Sequence, residues 1–221
     1  MTSLEAGLLK NSIVDYDEVY GVKLVSAPKF ELDYFTCQVG TDSLIMVKKN
    51  DKIVVRLDNL ALGKFLPEQM ASYPRKVRSF PSLCKASDEF LFLIGGANRD
   101  DYMTSCVRYD VQKNQWEDMP FLNEGRMSHS SCFLEDKIYV FSGKNAQGLI
   151  ISIESLKITR DPTQQLTKNW TSIPSVDEFT PREASLCAPL NESEIVILGG
   201  YMNGEMSSDI FIFNTVDKSL E

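Results

Sequence analysis

The sequence predicts an all-β protein built from about four repeated units, each containing four short antiparallel strands. Three observations lead to this prediction. Four of the five cysteines recur about every 50 residues, a spacing typical of repeat architectures; they are Cys37, Cys84, Cys132 and Cys187. An apolar run follows each of these cysteines after a short polar turn, and a glycine-containing turn closes three of the four runs.

The first two strands of each unit are predicted from the cysteines and the apolar runs. Each registered cysteine lies on a first strand, and the second strands are residues 44–47, 91–94, 138–141 and 195–198. Gly95-Gly96 and Gly199-Gly200 close two of the runs, Ser142-Gly143 closes another, and Lys48-Lys49 stands at the corresponding place in the first unit. Because glycine adopts a positive φ at little cost, we expect a sharp turn after the second strand.

The third and fourth strands follow from alternation and from tryptophan. Apolar and polar residues alternate, as in half-buried strands, at residues 55–58, 107–110, 152–156 and 210–214. Trp116 and Trp170 mark the fourth strand in two units, and each precedes a proline, Pro120 or Pro174. Residues 64–67 take this place in the first unit. Each unit is therefore expected to form one four-stranded antiparallel sheet.

These features together resemble the kelch repeat. The resemblance rests on the glycine pair after an apolar strand, a tyrosine on the third strand, the spaced tryptophan and an arginine before the next unit. The unit with Arg78, Gly95-Gly96, Tyr109 and Trp116 is the best copy, and the likeness covers about residues 33–221. Kelch repeats form the blades of a β-propeller, so the resemblance implies an all-β propeller of four-stranded antiparallel blades.

The repeat boundaries predict one propeller domain over residues 1–221. It would contain a partial blade at residues 11–28 and repeats at about residues 29–68, 69–121, 122–175 and 176–221, the last incomplete. In one arrangement, residues 20–24 supply the missing outer strand of the last blade and close a four-bladed ring. In the other, which we favour because kelch propellers commonly close with six blades, the propeller is open or incomplete.

Composition and charge exclude several classes of protein. The chain has 221 residues, 43% of them hydrophobic, and a net charge of −8, which does not fit collagen-like, coiled-coil or disordered chains. No apolar run reaches the roughly 18–20 residues of a membrane-spanning helix, and residues 1–10 lack the features of a signal peptide. The acidic balance disfavours nucleic acid and anionic membranes as partners, and we expect a cytoplasmic protein.

The sequence offers little for catalysis or for a cofactor. Five cysteines, an odd number, argue against a disulfide framework, and we expect the four registered ones to fill the core; Cys106 has no assigned role. His129 is the single histidine, so a copper site with two histidines cannot form. A Ser-His-Asp triad would depend on this residue, for which we expect a structural hydrogen bond instead. We predict no catalytic residue, no metal and no cofactor.

The loops favour a non-catalytic module that binds another protein. In a four-stranded blade, the loops between strands two and three emerge on the same face as the connections between blades, and recognition residues concentrate in such loops. The predicted partner-binding residues are Asn98, Arg99, Tyr102, Tyr201 and Asn203, together with the repeated arginines Arg78, Arg126 and Arg182. The arginines either bind an acidic peptide or form hydrogen bonds between blades.

Two other functions stay open as alternatives. Some kelch-like propellers are enzymes, so the resemblance also allows an enzyme that acts on a sugar such as a sialic acid. The second alternative is a structural or cytoskeletal assembly scaffold. A stable protein partner would favour binding or assembly, whereas turnover of a sialic acid would favour the enzyme.

Overall fold

The computed structural model describes residues 34–39, 41, 43–48, 52, 54–58, 66–72, 79–98, 101–158, 169–174 and 179–220. The chain divides into two compact units, Met1–Arg75 and Lys76–Glu221. Every regular element among the described residues is a β-strand, and the strands form antiparallel sheets of the kind expected for propeller blades. The predicted all-β fold is therefore confirmed.

The first unit contains one sheet of four strands in sequential order, which we call blade 1. Its strands are β1 (Tyr34–Val39), β2 (Ser43–Lys48), β3 (Val54–Asp58) and β4 (Leu66–Gln69). Met46 on β2 lies opposite Val55 on β3, and these two residues form a buried cluster with Leu57. The alternation predicted for the third strand therefore places Val55 and Leu57 on one face.

The second unit contains three further sheets, blades 2, 3 and 4, and a small hairpin extends from each of them. Blade 2 and its hairpin consist of β5 (Ser82–Lys85), β6 (Phe90–Ile94), β7 (Ala97–Asn98), β8 (Asp101–Tyr102), β9 (Cys106–Asp110) and β10 (Gln115–Met119). Blade 3 and its hairpin consist of β11 (Ser130–Leu134), β12 (Lys137–Phe141), β13 (Lys144–Asn145), β14 (Gly148–Leu149), β15 (Ile153–Lys157) and β16 (Thr171–Ile173). Blade 4 and its hairpin consist of β17 (Leu186–Pro189), β18 (Glu194–Leu198), β19 (Tyr201–Met202), β20 (Glu205–Met206) and β21 (Ile210–Asn214).

The two faces of blade 3 are buried against different neighbours. On β12, Ile138 and Val140 belong to a core cluster shared with blade 2, whereas Tyr139 and Phe141 belong to a cluster shared with blade 4. The ring of Phe141 meets that of Phe213 edge to face, with the ring centroids 5.5 Å apart. Because successive strand residues point to opposite faces, one apolar run fills two interfaces and stacks three blades face to face.

The first strand of each blade in this unit lies on the inside of the stack. Strand β11 packs against both β5 and β17, and this contact brings the registered cysteines of the three blades to neighbouring strands. Cys84 and Cys132 are buried, as the core prediction requires, whereas Cys187 and the Cys37 of blade 1 are half-buried. Cys106, which had no assigned role, is fully buried on β9.

Blade 4 has three strands within the described part of the chain. Beyond β21 the chain turns back, and Leu220 lies opposite Phe213 in a single bridge. The predicted partial blade at residues 11–28, and the strand at residues 20–24 within it, lie outside the described residues. None of the described residues forms a helix that could span a membrane.

Candidate binding face

The turns after the second strands of blades 2, 3 and 4 have the geometry that the glycine pairs predict. Gly95 and Gly96 have φ values of 62° and 97°, and the pair at Gly199 has the same left-handed geometry. Ser142 stands where the others have glycine, and it adopts a φ of 56°. The cost of this conformation is offset because the Ser142 hydroxyl is buried and accepts a hydrogen bond of 2.6 Å from the Arg182 amide.

These turns hold three hairpins beside the connections between blades. Residues just before the inner strands pair with the first residues of the hairpins: Ser79 with Ala97, Met127 with Lys144, and Glu183 with Tyr201. Both kinds of loop therefore emerge together in blades 2, 3 and 4. We call this surface the hairpin face; it comprises the strand pairs β7–β8, β13–β14 and β19–β20 and the paired residues Ser79, Met127 and Glu183.

Four of the predicted partner-binding residues lie on the hairpin face. Asn98 is exposed at the end of β7, and Tyr102 is half-buried on β8. Tyr201 begins β19 with 43% of its surface exposed. Asn203 is exposed in the following turn with a φ of 54°, a conformation that asparagine tolerates better than most residues. Arg78 and Arg99 lie outside the described residues.

Arg126 lies beneath the hairpin face with none of its surface exposed. Its Nη1 donates to the carbonyl oxygens of Ser142 and Ser152 at 2.9 and 3.0 Å, and its Nη2 donates to Glu154 Oε1 at 2.6 Å. Burial lowers the pKa of the Arg126 guanidinium from its ordinary value, and the negative charges of Glu154 and Glu124 oppose this effect. These side-chain contacts give Arg126 a structural role within blade 3, whereas the structural alternative predicted hydrogen bonds between blades.

Arg182 repeats this arrangement in blade 4 and is also fully buried. Its Nη1 donates to the Gly199 carbonyl at 3.1 Å, and its guanidinium stacks 4.4 Å above the centre of the Phe211 ring. The Gly143 amide of blade 3 donates to the Arg182 carbonyl at 2.9 Å, just as the Gly96 amide of blade 2 donates to the Arg126 carbonyl at 2.8 Å. Arg126 and Arg182 thus bind the turn of their own blade through the side chain and the turn of the preceding blade through the backbone carbonyl.

Two features of the hairpin face were not predicted from the sequence. Lys144 Nζ lies 2.6 Å from Glu183 Oε2, and this ion pair joins the hairpin of blade 3 to the start of blade 4. Met206 is 79% exposed opposite Tyr201 in the last hairpin. The position of Met206 in the loop after Gly199-Gly200 could have indicated its exposure. No sequence signal pairs Lys144 with Glu183, because 39 residues separate them.

His129 and Ser82 meet where the inner strands of blades 2 and 3 begin. Ser131 donates to the Ser82 hydroxyl at 2.8 Å, and Ser82 Oγ lies 2.7 Å from His129 Nε2. His129 Nδ1 has no hydrogen-bond partner within the described part of the chain. Burial, together with the positive charge of Arg126, lowers the pKa of His129 to about 3. His129 is therefore neutral near pH 7, and the hydrogen bond expected for it is present at one of its two nitrogens.

Sequence comparison finds relatives whose names carry the same repeat. A segment of 106 residues is 27% identical to Kelch-like protein 26 of Mus musculus, covering 43% of this chain and 18% of that protein. Kelch-like protein 36 of Mus musculus is 28% identical over 96 residues (41% of this chain and 14% of that protein). Kelch-like protein 31 of Homo sapiens is 27% identical over 84 residues (35% and 13%). The chain thus spans less than a fifth of the length of these curated relatives.

Comparison of structures supports the same fold. No protein-family profile matches the chain. The solved structure titled "Structure of YjhT" superposes with a TM-score of 0.66 over 86% of this chain and 63% of that one, at 14% sequence identity. The registered turns, the stacked blades and the superposition show that the chain has a β-propeller fold, and its repeats are similar to those of the Kelch-like proteins.

Proposed function

We propose that the chain is a non-catalytic module that binds another protein through its hairpin face. The observation that carries the proposal is the pairing of Ser79, Met127 and Glu183 with the hairpins of three successive blades. This pairing fixes exposed loop residues to a rigid base of stacked sheets. Loops held in this way combine variable sequence with little loss of conformational entropy on binding.

The residues proposed to contact the partner are the exposed side chains of the hairpin face. Tyr201 and Met206 lie opposite each other and offer an aromatic and a flexible apolar side chain, and Asn98 and Asn203 add hydrogen-bonding groups at the hairpin tips. Tyr102, Arg78 and Arg99 remain proposed contact positions. Arg126 and Arg182 have no exposed surface, so in this proposal they support the face from beneath without touching the partner.

We propose that the partner is a protein and that the chain has no catalytic activity. A net charge of −8 disfavours nucleic acid and anionic membranes. The single histidine has a pKa of about 3 and is a weak base near pH 7, so it is poorly matched to general acid–base work in a sugar-modifying enzyme. Cysteines held as thiols fit a reducing compartment, and we place the protein in the cytoplasm.

Affinity capture with the intact chain tests this proposal. We expect Tyr201→Ala to reduce capture of a specific protein at least about tenfold, because the side chain is an exposed aromatic anchor and the backbone pairing with Glu183 is retained. The control is Glu192→Ala, in the exposed turn between β17 and β18 at the opposite end of the strands. Equal capture by the wild-type chain, Tyr201→Ala and Asn98→Ala would contradict binding through this face.

Assembly of copies of this chain is a second candidate, which one observation favours. Leu186, Leu198 and Ile210 lie opposite one another across the three strands of blade 4, and they are 70%, 39% and 64% exposed. The other face of this sheet packs against a blade of the same chain, so a second copy is the proposed occupant of the exposed row. We expect light scattering to give a dimer for the wild-type chain and a monomer for Leu198→Asp; a monomeric wild-type chain would eliminate this candidate.

A further inference from the structure

Two cysteine side chains from neighbouring blades meet inside the second unit. Strands β11 and β17 pack side by side, and the hydroxyl oxygens of Ser130 and Ser185 lie 3.2 Å apart. Cys132 and Cys187 follow these serines by two residues, and Cys132 points to the same side of β11 as Ser130. Cys187 packs against the buried cluster that contains Cys132, so the two thiols are neighbours across the contact between β11 and β17.

The two thiols differ in their access to solvent. Cys132 is buried, with 6% of its surface exposed, whereas Cys187 is half-buried near the surface of blade 4. A small oxidant therefore reaches Cys187 first, and the buried thiol beside it is placed to complete the reaction. Neither cysteine forms a disulfide in this structure.

We propose that Cys132 and Cys187 form an oxidation site at which a hydroperoxide converts the two thiols into a disulfide between blades 3 and 4. In the first step the Cys187 sulfur attacks one oxygen of hydrogen peroxide, the O–O bond breaks, and water leaves to give a sulfenic acid. In the second step the Cys132 sulfur attacks the Cys187 sulfur, the S–O bond breaks, and a second water leaves. The two thiols lose two electrons and two protons, and the peroxide is reduced to two molecules of water.

The surroundings of Cys132 determine the rate of the second step, disulfide formation. Its hydrogen bond to Cys187 and its burial raise the pKa of the Cys132 thiol above its ordinary value. Because the thiolate is the attacking species, disulfide formation is slow near pH 7 and accelerates as the pH rises. Because the disulfide forms slowly, the sulfenic acid of Cys187 persists long enough to be trapped.

The disulfide would tie together the two blades that the Lys144–Glu183 ion pair joins on the hairpin face. Residues 132 and 187 are 55 positions apart in the chain. Closing a loop of this size restricts the unfolded chain, so the oxidised protein should melt about 5 °C or more above the reduced one.

Mass spectrometry of the full-length chain tests the proposal. The protein is treated with hydrogen peroxide at pH 8, quenched, alkylated in denaturant and digested without reductant. We expect a mass loss of about 2 Da, a peptide linking Cys132 to Cys187, and trapping of the Cys187 sulfenic acid by dimedone at early times. Cys187→Ser should abolish the mass loss, and Cys106→Ser, which alters a cysteine on another strand, should retain it.

Three outcomes would overturn the proposal. One is a Cys187 that gains two or three oxygens while Cys132 stays reduced, and another is a pair of thiols that both remain reduced. The third is linkage of Cys187 to Cys84 or to a second molecule. The linked peptide is measured on the wild-type chain, so the result stands even where a substitution impairs folding.

Discussion

Arg126 Nη2 donates to Glu154 Oε1 at 2.6 Å, and neither side chain has more than 1% of its surface exposed. Glu154 also accepts the backbone amide of Asn123 at 2.7 Å, so both partners of the ion pair have further hydrogen bonds. A buried ion pair satisfied in this way contributes little compared with an apolar pair of the same shape, but removing one member leaves a buried charge without a partner. Substitution of either residue should therefore destabilise the blade.

We expect Arg126→Ala to lower the free energy of unfolding of the second unit by about 3–5 kcal/mol. The loss combines an unpaired Glu154 carboxylate with the unsatisfied carbonyl of Ser142. Urea unfolding followed by tryptophan fluorescence measures it. Lys113→Ala is the control, because Lys113 pairs with Asp110 at the surface and its removal should cost less than about 1 kcal/mol. Equal midpoints for the two variants would contradict a structural role for Arg126.

Stability should fall on acidification because of His129. Its folded-state pKa of about 3 lies below the unfolded value near 6.5, so between these values the unfolded chain binds more protons. The stabilising contribution is complete above pH 6.5 and is lost as the pH falls toward 3. Between pH 6.5 and pH 5, where most carboxyl groups stay ionised, the loss should be about 2 kcal/mol.

The variant His129→Gln isolates this effect. Glutamine keeps a hydrogen-bonding group near Ser82 and carries no titratable nitrogen. We expect its unfolding free energy to change by about 2 kcal/mol less than that of the wild-type chain over the same pH interval. Parallel pH profiles for the two proteins would show that His129 does not titrate with a lowered pKa.

The strands were predictable because their signals are local. Continuous apolar runs and the turn residues indicated the second strands, and residues 91–94 and 138–141 lie within β6 and β12. Even the exception at Ser142 was visible, since serine stands where the other units have glycine. What compensates for its positive φ was not visible, because the hydroxyl bonds to Arg182, which lies 40 residues further along the chain.

The surroundings of the arginines were not predictable for a related reason. On β15 the alternation suggests that Glu154 faces solvent beside Ile153, yet the carboxylate is buried on Arg126. Sequence periodicity places a residue on a strand, but packing between blades decides whether the outward face is covered. On the hairpin face, the loops were predicted because they depend on local sequence. The Lys144–Glu183 contact was not predicted, because it joins residues that are distant in the chain.

The two tryptophans occupy equivalent repeat positions but should contribute unequally to stability. Trp170 is buried in the cluster between blades 2 and 3, and its Nε1 donates to the Pro120 carbonyl at 2.9 Å. Trp116 is half-buried and packs against Tyr109 with ring centroids 4.7 Å apart. We expect Trp170→Phe to cost about 2–3 kcal/mol, from the cavity and the unpaired carbonyl, and Trp116→Phe less than about 1 kcal/mol. Thermal unfolding followed by circular dichroism gives both values, and equal costs would contradict the different environments.

Gly95 and Gly148 both have a positive φ, yet alanine should be tolerated at only one of them. A Cβ at Gly95 would lie 2.7 Å from both the Arg126 carbonyl oxygen and His129 Cε1, whereas a Cβ at Gly148 meets nothing within 4 Å. Gly148→Ala therefore incurs only backbone strain, about 1–2 kcal/mol. Gly95→Ala must also displace the backbone that joins blade 2 to Arg126, so its loss of unfolding free energy should exceed that of Gly148→Ala by about 2 kcal/mol or more. Urea unfolding of the two variants measures the difference, and a Gly95→Ala variant as stable as Gly148→Ala would show that this turn and the arginine carbonyl are not in close contact.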